Sequence, residues 1–233
     1  MLGFYNYTTW LTYLGALCGV SGIWSVLEGH ETLAVLFLAA AGFFDLFDGK
    51  VASTKKDRTE QMKKFGIQID SLSDLICFCV LPATLLYQLA KATFPDVDRL
   101  WFCPLAVFYV LAGLIRLAYF NVTEEQRQKE TEEVRKNYTG LPITASALIF
   151  PLFYSIVSVY CLCTEEITRF GRLFMQGNFR ALLCVLMALT GILYITPFKM
   201  RKPRSRELWL ILAVGLLVAA VLLLTHLRRL GVF

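Results

Sequence analysis

The sequence predicts an all-α polytopic membrane protein, a bundle of six to seven transmembrane helices. Two observations carry that prediction. Of 233 residues, 57% are hydrophobic and only 18% charged, with a mean hydropathy of +0.58. The apolar residues also gather into runs of the roughly 20 residues that cross a hydrocarbon core, and the charges cluster between them. In lipid every backbone polar group needs an internal partner, which leaves helices as the architecture for such runs.

The elements follow in order. Apolar spans read at 8–27, 31–48, 67–90, 100–121, 141–163, 179–198 and 207–227. A polar loop over 50–65 joins the second span to the third. The stretch 124–136, EEQRQKETEEVRK, offers i,i+4 charge pairs and reads as a short solvated surface helix. Gly140, Leu141 and Pro142 open the fifth span, with Pro142 in its first turn. Spans six and seven, 179–227, carry no acid in their interiors and complete the bundle. The whole chain, 1–233, reads as one integral-membrane domain. The N-terminus lacks the basic region and small-residue cleavage site of a signal peptide.

Charge sets an orientation. The segments 50–64, 122–139 and 199–206 carry 6, 4 and 5 Lys/Arg, while the alternate segments and the C-terminal tail carry 7 between them. The positive-inside rule puts the first set, and the N-terminus, in the cytoplasm. Arg228 and Arg229 then fall on the opposite side, against the rule. The formal net charge of +5 calls for no nucleic-acid partner, since basic loops beside anionic headgroups explain it. Cys77/Cys79 and Cys161/Cys163 are C-x-C pairs in apolar spans, without zinc-site spacing, and read as small buried residues. His30 and His226 stand alone at span ends and receive no chemistry.

Four aspartates carry the chemistry. Asp45 and Asp48 close the second span, and Asp70 and Asp74 open the third. Spacings of i+3 and i+4 put each pair on one helix face. Carboxylates at membrane depth are costly and mark function, and four together repel unless a cation lies between them. Their hard oxygens suit Mg²⁺, Mn²⁺ or Ca²⁺. Gly49, Ala52 and Gly66 flank the acids and let a ligand approach the backbone. Gly66 also reads as the start of the third span, where helix N-terminal amides favour anions. Lys50, Lys55, Lys56, Arg58, Lys63 and Lys64 surround the site. Cations plus basic side chains suit a diphosphate. Most of these lysines read as loop charges, and Arg58 as the one phosphate ligand.

The pattern Asp45, Asp48, Gly49, Ala52, Gly66, Asp70, Asp74 resembles the signature of the CDP-alcohol phosphotransferase family. The segments FGIQIDSLSDLICFCVLPA, IRLAYFNVTEE and YTGLPITASA, with Asn6-Tyr7-Thr8-Thr9 near the start, resemble its phosphatidylserine synthases. The likeness runs over about residues 5–160. It implies a bundle of that family's type holding two divalent cations, Mg²⁺ or Mn²⁺. By the same resemblance Asp45, Asp48, Asp70 and Asp74 would bind metal, and Asp74 would also be the general base. Thr9, Gly49, Ala52, Arg58 and Gly66 would hold the CDP-lipid, and Arg116 and Asn121 the acceptor or a phosphate. The reaction implied is transfer of the phosphatidyl group of CDP-diacylglycerol to L-serine, releasing CMP. A homodimer among membrane lipids is implied too, in a prokaryotic cell membrane with the site at the cytoplasmic face.

The chain departs from the family pattern at three places. Ser53 stands where the family has Arg, and twelve residues separate it from Gly66, an insertion. Arg58 within that insertion is then the guanidinium that replaces the missing one. Tyr119 stands where the synthases have a second Arg. The same chemistry on glycerol 3-phosphate or inositol phosphate therefore stays open, favoured by the basic insertion. A cation transporter would place its acids near the midplane and show interrupted repeats. A non-catalytic scaffold would have no use for this set of acids and small residues.

Overall fold

The computed structural model describes residues 3–5, 7–55, 57–93, 99–130, 137–163, 169–201 and 205–229. Asn6, Lys56 and residues 131–136 lie outside the described residues, as do the side chains of Thr8, Ser53, Cys161 and Cys163. The described residues form seven helical rods. Helix α1 is Tyr7–Leu27, α2 Glu31–Thr54 and α3 Glu60–Leu75. A π-helical turn, Ile76–Val80, joins α3 to α4, Leu81–Thr93, in one rod. Helix α5 is Cys103–Glu130, α6 Ser146–Cys163, α7 Arg169–Ile195 and α8 Ser205–Arg229. Five stretches are long and apolar enough to cross a membrane: Thr9–Leu27, Glu31–Ala52, Glu60–Leu89, Leu100–Arg127 and Arg206–Arg228. Ile143–Val159 and Ala181–Ile195 are shorter apolar helices. The protein is thus an all-α polytopic membrane bundle, as its hydropathy predicts.

Helices outrun the apolar spans. Hydropathy ends where water begins, but the backbone ladder continues into the headgroup zone. Helix α2 runs past Asp48 to Thr54, and α3 starts at Glu60, so the expected loop over 50–65 shrinks to the residues between Thr54 and Glu60. Thr59 caps α3 by accepting from the Met62 amide at 3.2 Å. The expected surface helix at 124–136 is a correction of the same kind. Its described part, up to Glu130, is the end of α5, where Arg127 pairs with Glu124 at 2.6 Å.

Two glycines set turns by adopting positive φ. Gly29 (φ 80°) ends α1, its amide bonded to the Val26 carbonyl and that of His30 to Ser25, a Schellman closure. Gly140 (φ 77°) lies beside a short strand, β1 (Asn137–Thr139), which pairs antiparallel with β2 (Lys199–Arg201). This pairing brings the α5–α6 and α7–α8 connections together at one end of the bundle.

The core lies around the α3–π–α4 rod, with Cys77, Phe78, Cys79, Leu81 and Leu86 buried. Small residues let helices approach closely, as membrane packing requires. A Cβ added to Gly42 on α2 would collide with Ala147 on α6, and one on Gly113 of α5 with the Cys79 sulfur. Pro82 has no N–H for the carbonyl four residues back, that of Phe78. The buried Tyr109 hydroxyl donates to that carbonyl instead, at 3.0 Å. Tyr109 also meets the Tyr194 hydroxyl at 3.1 Å, and Tyr194 donates to the Ile143 carbonyl at 3.1 Å. One polar chain therefore ties the π turn to α5, α7 and the start of α6.

Candidate active site

The four aspartates of the sequence pattern line one pocket between α1, α2 and α3. Asp45 and Asp48 come from the exit of α2, and Asp70 and Asp74 from α3 just before the π turn. One carboxylate oxygen from each of Asp45, Asp70 and Asp74 lies within 4.8 Å of the others. The Asp48 carboxyl lies within hydrogen-bonding reach of Asp70, and that of Asp45 within reach of Asp74. All four side chains are half-buried. Opposed oxygens on an octahedral Mg²⁺ stand about 4.2 Å apart, so this cluster needs little closure to wrap a cation. The donor set, carboxylate oxygens without thiolate or imidazole, suits Mg²⁺ or Mn²⁺. π turns inside helices recur at functional sites, and this one follows Asp74 by a single residue.

The remaining predicted residues fall around this pocket in different ways. A Cβ on Gly49 would meet open space, so the backbone there is accessible. Gly66 is not at a helix start. It is the seventh residue of α3, its amide inside the helical ladder, and the free N-terminal amides belong to the turn after Thr59. The Arg58 guanidinium packs over Gly66, its nitrogen 2.7 Å from where a Cβ would stand. Arg58 also donates to the Ala52 carbonyl at 3.3 Å. The insertion thereby folds its arginine across two of the three small residues of the signature, Ala52 and Gly66. Of the neighbouring lysines, Lys50 lies over the Phe47 ring at 5.5 Å, and Lys63 pairs with Glu60 at 2.9 Å. Thr9 is buried and donates to the Phe4 carbonyl at 3.3 Å.

Arg116 and Asn121 join the two other recognisable segments to the site. Arg116 is 6% exposed and donates to the carbonyls of Leu141 at 3.0 Å and Gly140 at 3.5 Å. It also lies over the Phe120 ring at 5.8 Å. Two segments of the sequence thus meet as one unit, the RLAYFN end of α5 holding the TGLP loop. Asn121 donates to the Ser71 hydroxyl at 2.8 Å, next to Asp70. Tyr119, in place of an arginine, is exposed.

Sequence reasoning missed Thr12, Ser71 and Ser73. Thr12 donates to an Asp48 oxygen at 3.2 Å, and Ser73 donates to the Thr12 carbonyl at 3.4 Å. A signal existed for both. Thr12 stands three residues after Thr9, and Ser73 three after Asp70, on the faces already marked.

Known proteins now bear on this geometry. Residues 5–176 match the family described as CDP-alcohol phosphatidyltransferase. A Saccharomyces cerevisiae protein named CDP-diacylglycerol–serine O-phosphatidyltransferase is 34% identical, over 62% of this chain and 53% of its own length. An archaetidylserine synthase of Methanothermobacter thermautotrophicus is 35% identical, over 62% of this chain and 55% of its own. A Bacillus subtilis protein with the same name as the yeast one is 34% identical, over 59% of this chain and 70% of its own. The chain spans about half the length of the first two relatives. With the family match over most of its length and four carboxylates gathered where α2 meets α3, the chain belongs to the CDP-alcohol phosphatidyltransferase family.

Proposed function

We propose that this protein transfers the phosphatidyl group of CDP-diacylglycerol to the hydroxyl of L-serine, giving phosphatidylserine and CMP. One observation carries the reading: two carboxylate pairs from consecutive helices converge on one pocket beside Gly49 and the Arg58–Gly66 contact. The relatives' names supply the substrates. Asp45, Asp48, Asp70 and Asp74 would hold two divalent cations, Mg²⁺ or Mn²⁺. Bound there, the cations neutralise charge on the diphosphate and on the departing CMP.

The chain's own residues do the rest. Gly49 leaves the α2 backbone open to the nucleotide, with Ala52 beside Arg58 further along α2 and Thr9 on the α1 side. Arg58 places a fixed positive fork over Gly66, where a phosphate of the CDP-lipid would lie. Asp74 accepts the serine hydroxyl proton as that oxygen forms a bond to the lipid-bearing phosphorus. The bond from this phosphorus to the bridging oxygen breaks, and CMP leaves with the electron pair. A base held in reach of the hydroxyl contributes typically 10²–10⁴-fold. Arg116 and Asn121 frame the acceptor side: Arg116 fixes the loop at Gly140–Leu141, and Asn121 reaches α3 at Ser71.

The second reading keeps the mechanism and changes the acceptor to glycerol 3-phosphate or inositol phosphate. It is favoured by the basic residues Lys55, Arg58, Lys63 and Lys64 in the segment between the two aspartate pairs. The basic segments support a site at the cytoplasmic face, and we assign a prokaryotic cell membrane, with relatives in a yeast as well as in an archaeon and a bacterium. We assign a homodimer on the family resemblance. The test is mass-spectrometric detection of phosphatidylserine formed by purified protein from CDP-diacylglycerol, L-serine and Mn²⁺. Its absence under conditions where another acceptor is converted would favour the second reading.

A further inference from the structure

We infer that Thr12 is a positioning residue of the carboxylate site, its hydroxyl fixing Asp48 for cation binding. The inference rests on the proposed divalent-cation reading and adds a residue that the signature does not contain. Thr12 is 8% exposed and lines the same pocket as the four aspartates. Its Oγ1 donates to Asp48 Oδ2 at 3.2 Å.

A threonine within a helix ordinarily turns its hydroxyl back to a carbonyl of the preceding turn. Other hydroxyls of this bundle do so: Ser25 to Ser21, Thr84 to Val80 and Thr190 to Leu186, all within 2.9 Å. Thr12 gives that bond up and reaches across to α2. The backbone it stands on is held in place. Its carbonyl accepts from Ser73 at 3.4 Å, and the Gly15 carbonyl, one turn on, accepts from the Cys77 thiol at 3.2 Å. Gly19 packs against Cys77 so closely that a Cβ would stand 2.6 Å from its sulfur. Helix α1 is thus stitched to the rod that carries Asp70 and Asp74, while Thr12 reaches the acid from α2. The Asp48 carboxyl also meets the Gly49 amide and Asp70, so the Thr12 hydroxyl is the contact from α1 among those that orient it, and the lone pairs not so engaged are left for a cation. Loss of such an outer partner typically costs 10–100-fold in metal affinity or activity.

The test compares Thr12→Val, which keeps the shape and removes the hydroxyl, with Thr12→Ser, which keeps the hydroxyl. Mn²⁺ is titrated into detergent-solubilised protein without lipid substrate, and free Mn²⁺ is read by electron paramagnetic resonance. Thermal unfolding of the metal-free variants monitors the fold. The expected result is a Mn²⁺ affinity about tenfold weaker in Thr12→Val and near the parent value in Thr12→Ser, with unchanged melting. Parent-like affinity in Thr12→Val, or equal loss in both variants, would overturn the inference. Asp48→Asn separates this from the reading beneath it. If that variant also binds Mn²⁺ like the parent, Asp48 is not a ligand and the role of Thr12 falls with it, whereas a parent protein that binds no Mn²⁺ would refute the cation site itself.

Discussion

Removing the Tyr109 hydroxyl, with Tyr109→Phe, tests how the rod bearing Asp70 and Asp74 is held. Tyr109 is fully buried and donates to the Phe78 carbonyl at 3.0 Å. Three contacts link Phe78, Tyr109, Tyr194 and Ile143, but two hydroxyls supply only two protons. The variant therefore deletes one proton and leaves one carbonyl without its donor. Pro82 cannot supply a replacement amide. A buried group left unsatisfied costs about 1–3 kcal/mol, while interhelical hydrogen bonds in membrane bundles average about 0.6 and reach about 1.7 kcal/mol. Because the Phe78 carbonyl lies in the core, the upper part of the membrane range applies, about 1.5 kcal/mol. Equilibrium unfolding in mixed micelles, titrated with sodium dodecyl sulfate, measures it. A loss below about 0.3 kcal/mol would refute the view that this bond stands in for the proline's missing amide.

Further predictions concern the pocket and its packing. Asp74→Asn keeps the side chain's shape and removes the base, so turnover should fall by at least about 10²-fold while the melting temperature holds. Retained turnover would sink the base assignment. Arg58→Ala should raise the apparent KM for CDP-diacylglycerol about tenfold or more, with a smaller effect on kcat, because charge-assisted bonds to phosphate carry about 1.5–3 kcal/mol. An unchanged KM would leave Arg58 a structural tie between Ala52 and Gly66. Gly42→Val places a branched side chain on Ala147 and should cost about 1–3 kcal/mol of stability as α2 and α6 separate, read by thermal unfolding. Chelation should abolish turnover and Mn²⁺ restore it. Activity that survives exhaustive chelation would contradict a cation-dependent site.

The spans and the acids were legible because each is a local pattern. An apolar run reports lipid, and i+3 or i+4 carboxylates report a shared face. The ends of α2, α3 and α5 were not legible, because hydropathy measures where lipid stops rather than where a helix stops. Gly66 shows the consequence: it sits at a span boundary in hydropathy, yet lies within α3 with the Arg58 side chain packed over it. The π turn has no pattern of its own beyond Pro82 and depends on Tyr109, 27 positions on from it. Long-range ties were likewise hidden: β1 with β2, Arg116 with Gly140 and Leu141, and Thr12 with Asp48. The carbonyl contacts of Arg116 with Gly140 and Leu141 are one such tie, since no local pattern in the RLAYFN segment announces them.

The central claim is that the carboxylate pocket transfers a phosphatidyl group to serine. Measuring CMP release from CDP-diacylglycerol by the purified protein tests it most directly, with Mg²⁺ or Mn²⁺ and with L-serine, glycerol 3-phosphate and inositol 1-phosphate offered in turn. The account predicts release with L-serine and not with the two phosphorylated acceptors. Release with either of those instead, or none with any acceptor, would contradict it.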